Sequence, residues 1–210
     1  MTNQPSIATP ILDRSLSFEE FLDTYPDRNQ RCELIDGAVC EMLPTGPHED
    51  IAGFLAAEFS IEIRRQKLPL SVPKSCLVKP RTPQSGYFPD VAILDRDALA
   101  LEPLWPTASV IQNGETIPLV VEVVSTNWGD DYGRKCVDYE AMGIAEYWTV
   151  DFRGLGATRY IGSPKRPTVT IFQLEDGEYR GERFVSGDRL VSGALPELSL
   201  SADEIFAIAS

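Results

Sequence analysis

Residues 118–125, PLVVEVVS, are a run of β-branched and aliphatic side chains with one carboxylate, Glu122, near the centre. So apolar a run reads as a central strand buried on both faces of a sheet. An unpaired charge there costs several kcal/mol, roughly. Glu122 therefore needs a partner: a metal ion, a basic side chain or a proton. Upstream, residues 87–94, YFPDVAIL, repeat the pattern with Asp90 at the head. Two carboxylates set in two apolar strands are the main chemical signal of the chain.

Working outward, residues 1–16 read as a loose polar arm. Ser17 with Glu20 three residues on is a capping box, opening a short helix that Pro26 ends. Residues 31–42 read as two strands about an Asp36-Gly37 turn, with Glu33 and Leu34 on opposite faces. From His48 to Lys67 the longest helix is expected, since Ile51, Leu55, Phe59 and Ile63 recur every four residues. Strand-like runs at 70–72 and 75–79 stand among prolines, and 95–117 reads as an irregular insertion with weak helical content near 98–101. Beyond Glu122, a helix is expected from about Asp131 to Met142, stopped by Gly143. Strands are expected at 145–151, 159–161, 169–174, 179–185 and 198–200. Ser201, with Glu204 three residues on, caps a last helix. The order of elements predicts an α/β fold, a mixed central sheet carrying helices, in one domain over 17–210.

Bulk composition narrows the function. At 210 residues the chain needs no disulfide staples. No apolar run approaches the length of a membrane span, and the start lacks a basic segment followed by an apolar core. The expected location is the cytoplasm, without membrane association. None of Cys32, Cys40, Cys76 and Cys136 forms a C-x-x-C pair or has a histidine at ligand spacing, so zinc is not expected. With 19 Lys and Arg against 32 Asp and Glu, the net charge of −13 cuts against a simple nucleic-acid binder. Basic residues gather locally at 64–67, 74–81, 134–135 and 165–166.

Asp90 and Glu122 fit a hard divalent cation, which takes carboxylate oxygens and keeps several waters. Held between two strands at one sheet edge, such a metal generates hydroxide and stabilises phosphoryl charge. Taken from the residues alone, a turn cap for Asp90 and an Arg or Lys partner for Glu122 is equally open. Lys135 reads either as a lysine near the metal or as an i,i+4 partner of Asp131 on a solvated face. Glu33 reads as a further acid for the site or as the outward half of a half-exposed hairpin. His48, the chain's one histidine, stands at a helix start, where it contacts substrate or metal or simply lies at the surface. No G-x-S-x-G and no glycine-rich phosphate loop occurs.

Taken as a set, ELIDG at 33–37, His48, FPDV at 88–91, VVEVVS at 120–125, the helix of Lys135 and Tyr139, and GIAEYWTVD at 143–151 resemble a known family. It is the Uma-type putative restriction endonuclease family of the PD-(D/E)xK nuclease superfamily, and the resemblance covers about residues 17–175. It implies a restriction-endonuclease-like core, here with a β-rich C-terminal extension. It implies Mg²⁺ or Mn²⁺ held by Asp90, Glu122 and the Val123 carbonyl. The superfamily lysine two residues past the acid is here Val124, and the resemblance moves that role to Lys135 on the next helix. Glu33 matches the family's N-terminal acid and His48 its recurrent histidine. The SPST that follows the acid in the family is here Ser125-Thr126-Asn127-Trp128. The implied function is metal-dependent hydrolysis of DNA phosphodiesters by a homodimer. The alternatives are a nuclease fold kept as a binding or assembly module, or a hydrolase of a small phosphodiester.

Overall fold

The computed structural model describes residues 14–24 and 32–209. Ser17 caps α1 (Phe18–Thr24): the Glu20 N–H donates to Ser17 Oγ and the Ser17 N–H to Glu20 Oε2. This is the reciprocal box its spacing predicted. The expected arm up to residue 13, the Pro26 stop and Arg31 lie outside the described residues. Leu16, at the end of that arm, is buried and donates its N–H to the Gly37 carbonyl. β1 (Cys32–Ile35) and β2 (Ala38–Glu41) form the expected hairpin. Asp36 and Gly37 supply the two positive φ values, 48° and 82°, that its tight turn requires.

α2 (Gly46–Gln66) starts two residues before the expected His48, with Pro47 in its first turn. β3 (Leu70–Ser71) and β4 (Leu77–Val78) are shorter than the runs that predicted them. β5 (Val91–Asp95) begins one residue after Asp90. The stretch expected to be irregular is organised. It holds α3 (Arg96–Leu99), α4 (Trp105–Ala108), β6 (Val110–Ile111) and a 3₁₀ turn (Gly114–Thr116). Glu102, 2% exposed, ties it together by accepting from the Gln112 and Asn113 N–H groups and the Thr116 hydroxyl.

β7 (Leu119–Val123) is the strand of Glu122. A π-helical turn (Asp130–Lys135) leads into α5 (Cys136–Met142), which Gly143 ends in the left-handed region. β8 (Glu146–Asp151) follows. Residues 159–161, expected as a strand, belong to α6 (Thr158–Ile161). β9 (Thr168–Glu175) lies between β8 and β10 (Glu178–Phe184), so the sheet has no free edge there for a further strand. Residues 198–200 are not a strand either. Leu200 is buried in the core and its carbonyl takes the Leu190 N–H, while only a bridge from Ser201 to Arg189 is ladder-like. α7 (Ala202–Ile208) carries the predicted capping box of Ser201 and Glu204.

The sheet runs β10-β9-β8-β7-β5-β3. β7 and β8 are parallel, joined over the π turn and α5, and the other neighbours are antiparallel. This is the predicted mixed sheet flanked by helices. β9 and β10 add the expected β-rich C-terminal extension to one side of it. Alternation along β7 sends Leu119, Val121 and Val123 into the layer under α2 and α7, where Phe59 meets Trp148 edge-on at 5.4 Å. Val120 and Glu122 face the other way, toward α5, Tyr139 and Tyr147. Among the described residues no helix is long and apolar enough to cross a membrane.

Candidate active site

The C-terminal end of β7 fixes the site. Asp90 stands opposite it, just before β5. Its N–H donates to the Val121 carbonyl at 3.1 Å and its Oδ2 accepts the Val123 N–H at 2.7 Å. Two residues earlier, the Phe88 N–H donates to Glu33 Oε1 at 2.9 Å, which draws β1 against the same edge. Glu33 is thus 4% exposed, not the outward half of a half-exposed hairpin. The π turn brings Asp131, Tyr132 and Lys135 inward together, and such turns recur where a helix must re-aim a side chain. Lys135 is buried rather than on a solvated face. Its Nζ lies 2.9 Å from Glu122 Oε2, 3.0 Å from Glu33 Oε1 and 3.9 Å from Asp131 Oδ1. One α-helical turn on, the Tyr139 hydroxyl donates to Glu122 Oε1 at 2.7 Å. From the first turn of α2, His48 places Nε2 at 3.2 Å from Asp90 Oδ2. All five side chains expected at the site therefore converge, and with Val123 and Asp131 they line a cavity of about 380 Å³.

The charge balance of this cluster is unfavourable. Four carboxylates (Glu33, Asp90, Glu122, Asp131) share one ammonium and one imidazole, so ionising all four would leave negative charge in excess even with His48 protonated. Burial pushes Glu122 well above the usual carboxylate range against the pull of Lys135, and Asp90, Glu33 and Asp131 push it further. Burial likewise drives Asp131 to about 7, with Lys135 opposing and Asp90 and Glu33 adding to the rise. Burial alone would discharge Lys135, but Glu122 foremost, with Glu33, Asp131 and Asp90, holds it well above its ordinary value. The same contest raises His48: burial pulls it down, and the hydrogen bond and charge of Asp90 more than offset that. Burial and the adjacent Glu122 keep Tyr139 protonated, so it remains a donor.

The donors suit a hard divalent cation. Asp90 and Glu122 offer carboxylate oxygens from neighbouring strands. The Val123 carbonyl is left without a backbone donor from the segment before β5, because Pro89 has no N–H, the Phe88 N–H is spent on Glu33 and that of Asp90 on Val121. A cation would also offset the surplus of negative charge. Among the described residues no three His, Cys, Asp or Glu side chains form a ready-made cage. Mg²⁺ does not need one, since it keeps several waters beside one or two carboxylates.

Two members of the cluster were not singled out as site residues from the sequence. Asp131 sits where a loop runs into a helix, and only the four-residue step to Lys135 marks it. Tyr139 enters the sequence reading only with the helix of Lys135, and nothing there predicts its hydrogen bond to Glu122.

The arrangement has relatives. A crystal structure of a putative nuclease belonging to DUF820 from Anabaena variabilis superposes with a TM-score of 0.65 over 90% of this chain and 98% of that one. At 15% identity the likeness is one of fold. No curated protein matches the chain. The family described as Uma2, putative restriction endonuclease, matches residues 18–203, a span that includes both strands, the hairpin, α2 and the π turn. The chain belongs to that family of nuclease-like proteins.

Proposed function

We propose that the protein is a divalent-metal-dependent endonuclease that hydrolyses phosphodiester bonds in DNA. One observation carries the reading: two carboxylates from neighbouring strands, Asp90 and Glu122, meet at the floor of a cavity whose buried acids outnumber its cations. Asp90, Glu122 and the Val123 carbonyl would hold Mg²⁺ or Mn²⁺, with Glu33 close by. Bound there, the metal lowers the pKa of a coordinated water and stabilises charge on the phosphoryl group.

The chain's own side chains do the rest. Lys135 holds Glu33 and Glu122 together and supplies a fixed positive charge beside the place where phosphoryl charge develops. Tyr139 fixes the orientation of Glu122. Asp90 favours the cationic form of His48, in which Nδ1 is a buried donor without a partner among the described residues that a phosphate oxygen or ordered water would satisfy. A two-fold homodimer would offer one such site to each strand of a duplex.

The test is conversion of supercoiled plasmid in Mn²⁺ by the wild type and by Glu122→Ala. Loss of about a hundredfold or more in the variant is expected, and equal rates would sink the assignment. A second reading, a nuclease fold kept for binding, draws on a specific feature: Lys135 and Tyr139 already engage both oxygens of Glu122. That reading predicts no heat on titrating the protein with Mn²⁺.

A further inference from the structure

The loop that joins β8 to β9, like residues 63–89, is a basic stretch free of acids in an acidic chain, and it is the one of the two that reaches the cavity. Residues 152–167 hold Arg153, Arg159, Lys165 and Arg166, all exposed, and no Asp or Glu. Lys165 folds the loop on itself by donating to the Leu155 carbonyl at 3.1 Å. The loop leaves the sheet at the end of β8, beside the end of β7 that carries Glu122, and Arg153 lines the catalytic cavity.

Next to it stands a group of aromatic rings. Trp128 directly follows Ser125, Thr126 and Asn127 of the cavity wall. It meets Tyr160 edge-on at 6.4 Å. Tyr160 stacks on the buried Tyr132 at 4.7 Å with their planes 12° apart, and the Arg159 guanidinium lies 4.6 Å from the Tyr160 ring centre. Val124, Tyr132 and Ile161 form the apolar footing, while Trp128 and Tyr160 remain half-exposed above it. The acids that flank these segments in sequence are engaged elsewhere. Asp130 lies 3.9 Å from Arg134, Asp131 is buried beside Lys135, and Asp151 accepts from the Leu155 and Gly156 N–H groups.

We propose that Trp128 and Arg159, seated on Tyr160 whose two faces Tyr132 and Arg159 already cover, and continued by Arg153 at the cavity mouth, form a docking ridge for unpaired DNA. On this view the strand that reaches the cavity carries unstacked nucleotides at the point of attack. The proposal rests on the nuclease reading and names its substrate class. Its warrant is charge and ring chemistry together. Exposed arginines beside the cavity of a chain of net charge −13 favour a polyanion there. Aromatic and guanidinium planes add to the face of a base only when that base is not already covered on both sides by its neighbours in a duplex. A duplex would meet the arginines and leave the rings unused.

The test is fluorescence anisotropy in EDTA at low salt, with the full chain and two labelled probes: a short oligothymidine and a blunt duplex of the same length. Oligothymidine should bind at least about tenfold more tightly than duplex, and Trp128→Ala and Arg159→Ala should each weaken it about fivefold or more. Arg159→Ala should also flatten the dependence on log salt by about one. Arg159 is exposed, so its variant decides the matter should Trp128→Ala prove unstable. Duplex binding equal to or tighter than oligothymidine overturns the ridge, and so does an Arg159→Ala protein that binds like the wild type. Because EDTA removes cleavage from the measurement, ridge and nuclease fail separately. Oligothymidine selectivity in a protein that cuts nothing upholds the ridge as a binding surface. Plasmid cleavage with unselective binding sinks the ridge alone.

Discussion

β7 and β8 lie side by side, and each buries a glutamate in surroundings of opposite character. Glu146, at the start of β8, is 1% exposed. Its Oε1 accepts from Trp148 Nε1 and the Ser192 hydroxyl at 2.5 and 2.7 Å, and its Oε2 from the Gly193 and Ala194 N–H groups at 2.6 and 3.0 Å. Every donor is neutral, and no other carboxylate is among these partners. Glu122, near the end of β7, is as buried, but it is met by a lysine and a tyrosine and crowded by three further acids. Fixed dipoles suffice to hold a buried charge that has only a structural task. Where charges of like sign are packed together instead, the fold carries a strain that a cation would remove. On the proposed function, that difference separates a buried acid that holds the fold together from one that would be poised for chemistry.

The largest effect that tests this contrast is expected at Lys135. Lys135→Met leaves Glu33 and Glu122 without their shared cation and should cost about 3–5 kcal/mol in metal-free buffer at pH 8. The cost should shrink at pH 5 as the acids take up protons. Urea melts at the two pH values measure it, and a variant as stable as the wild type at pH 8 would mean the cluster was never under charge strain. Glu146→Ala comes next. It strands the Trp148, Ser192, Gly193 and Ala194 donors, for a loss of about 2–4 kcal/mol in the same assay. Nuclease activity per folded molecule should be unchanged. A drop in activity without a drop in stability would move Glu146 into the site and erase the contrast.

The sequence revealed these two glutamates unequally. The run at 118–125 marked Glu122 because an acid among β-branched residues has no local escape. The Asp36-Gly37 turn, both capping boxes and the stripe on α2 were equally plain, since their partners lie within a few residues. Glu146 gave no such signal: its acceptors' donors at 192–194 are 46 to 48 residues away. For the same reason Glu33 read as half-exposed until the Phe88 N–H, 55 residues on, was seen to hold it. Asp131 depends on a π turn, which no periodicity announces. Residues 159–161 carry strand-like side chains, but they lie in the connection between β8 and β9, which pair directly with each other and leave no place between them.

Asp131 sharpens the contrast at intermediate size. An acid held at about 7 in the folded chain, against 3.8 as its ordinary value, binds a proton more tightly folded than unfolded. Stability from this group is therefore complete below pH 4 and declines as pH rises toward 7. Asp131→Asn stays neutral throughout, so in EDTA it should be more stable than the wild type by on the order of 1–3 kcal/mol at pH 8. The two proteins should converge near pH 4. A variant no more stable at pH 8 would show that Lys135 fully compensates Asp131.

The smallest effect belongs to His48, and it reads the cation directly. As the chain's one histidine it gives a single imidazole resonance to follow by NMR. In metal-free protein its midpoint should lie above the ordinary 6.5, because Asp90 outweighs the effect of burial. The stabilisation it brings is present below pH 6.5 and lost as pH rises through that raised midpoint. Saturating Mg²⁺ on Asp90 would neutralise the carboxylate and place positive charge beside the ring, so the midpoint should fall. Metal binding should accordingly tighten with rising pH, as His48 and Asp131 give up their protons. A midpoint unmoved by Mg²⁺ would mean that the cation, if bound at all, is not on Asp90. The crowding of acids around Glu122 would then be a strain that the fold tolerates without chemistry to justify it.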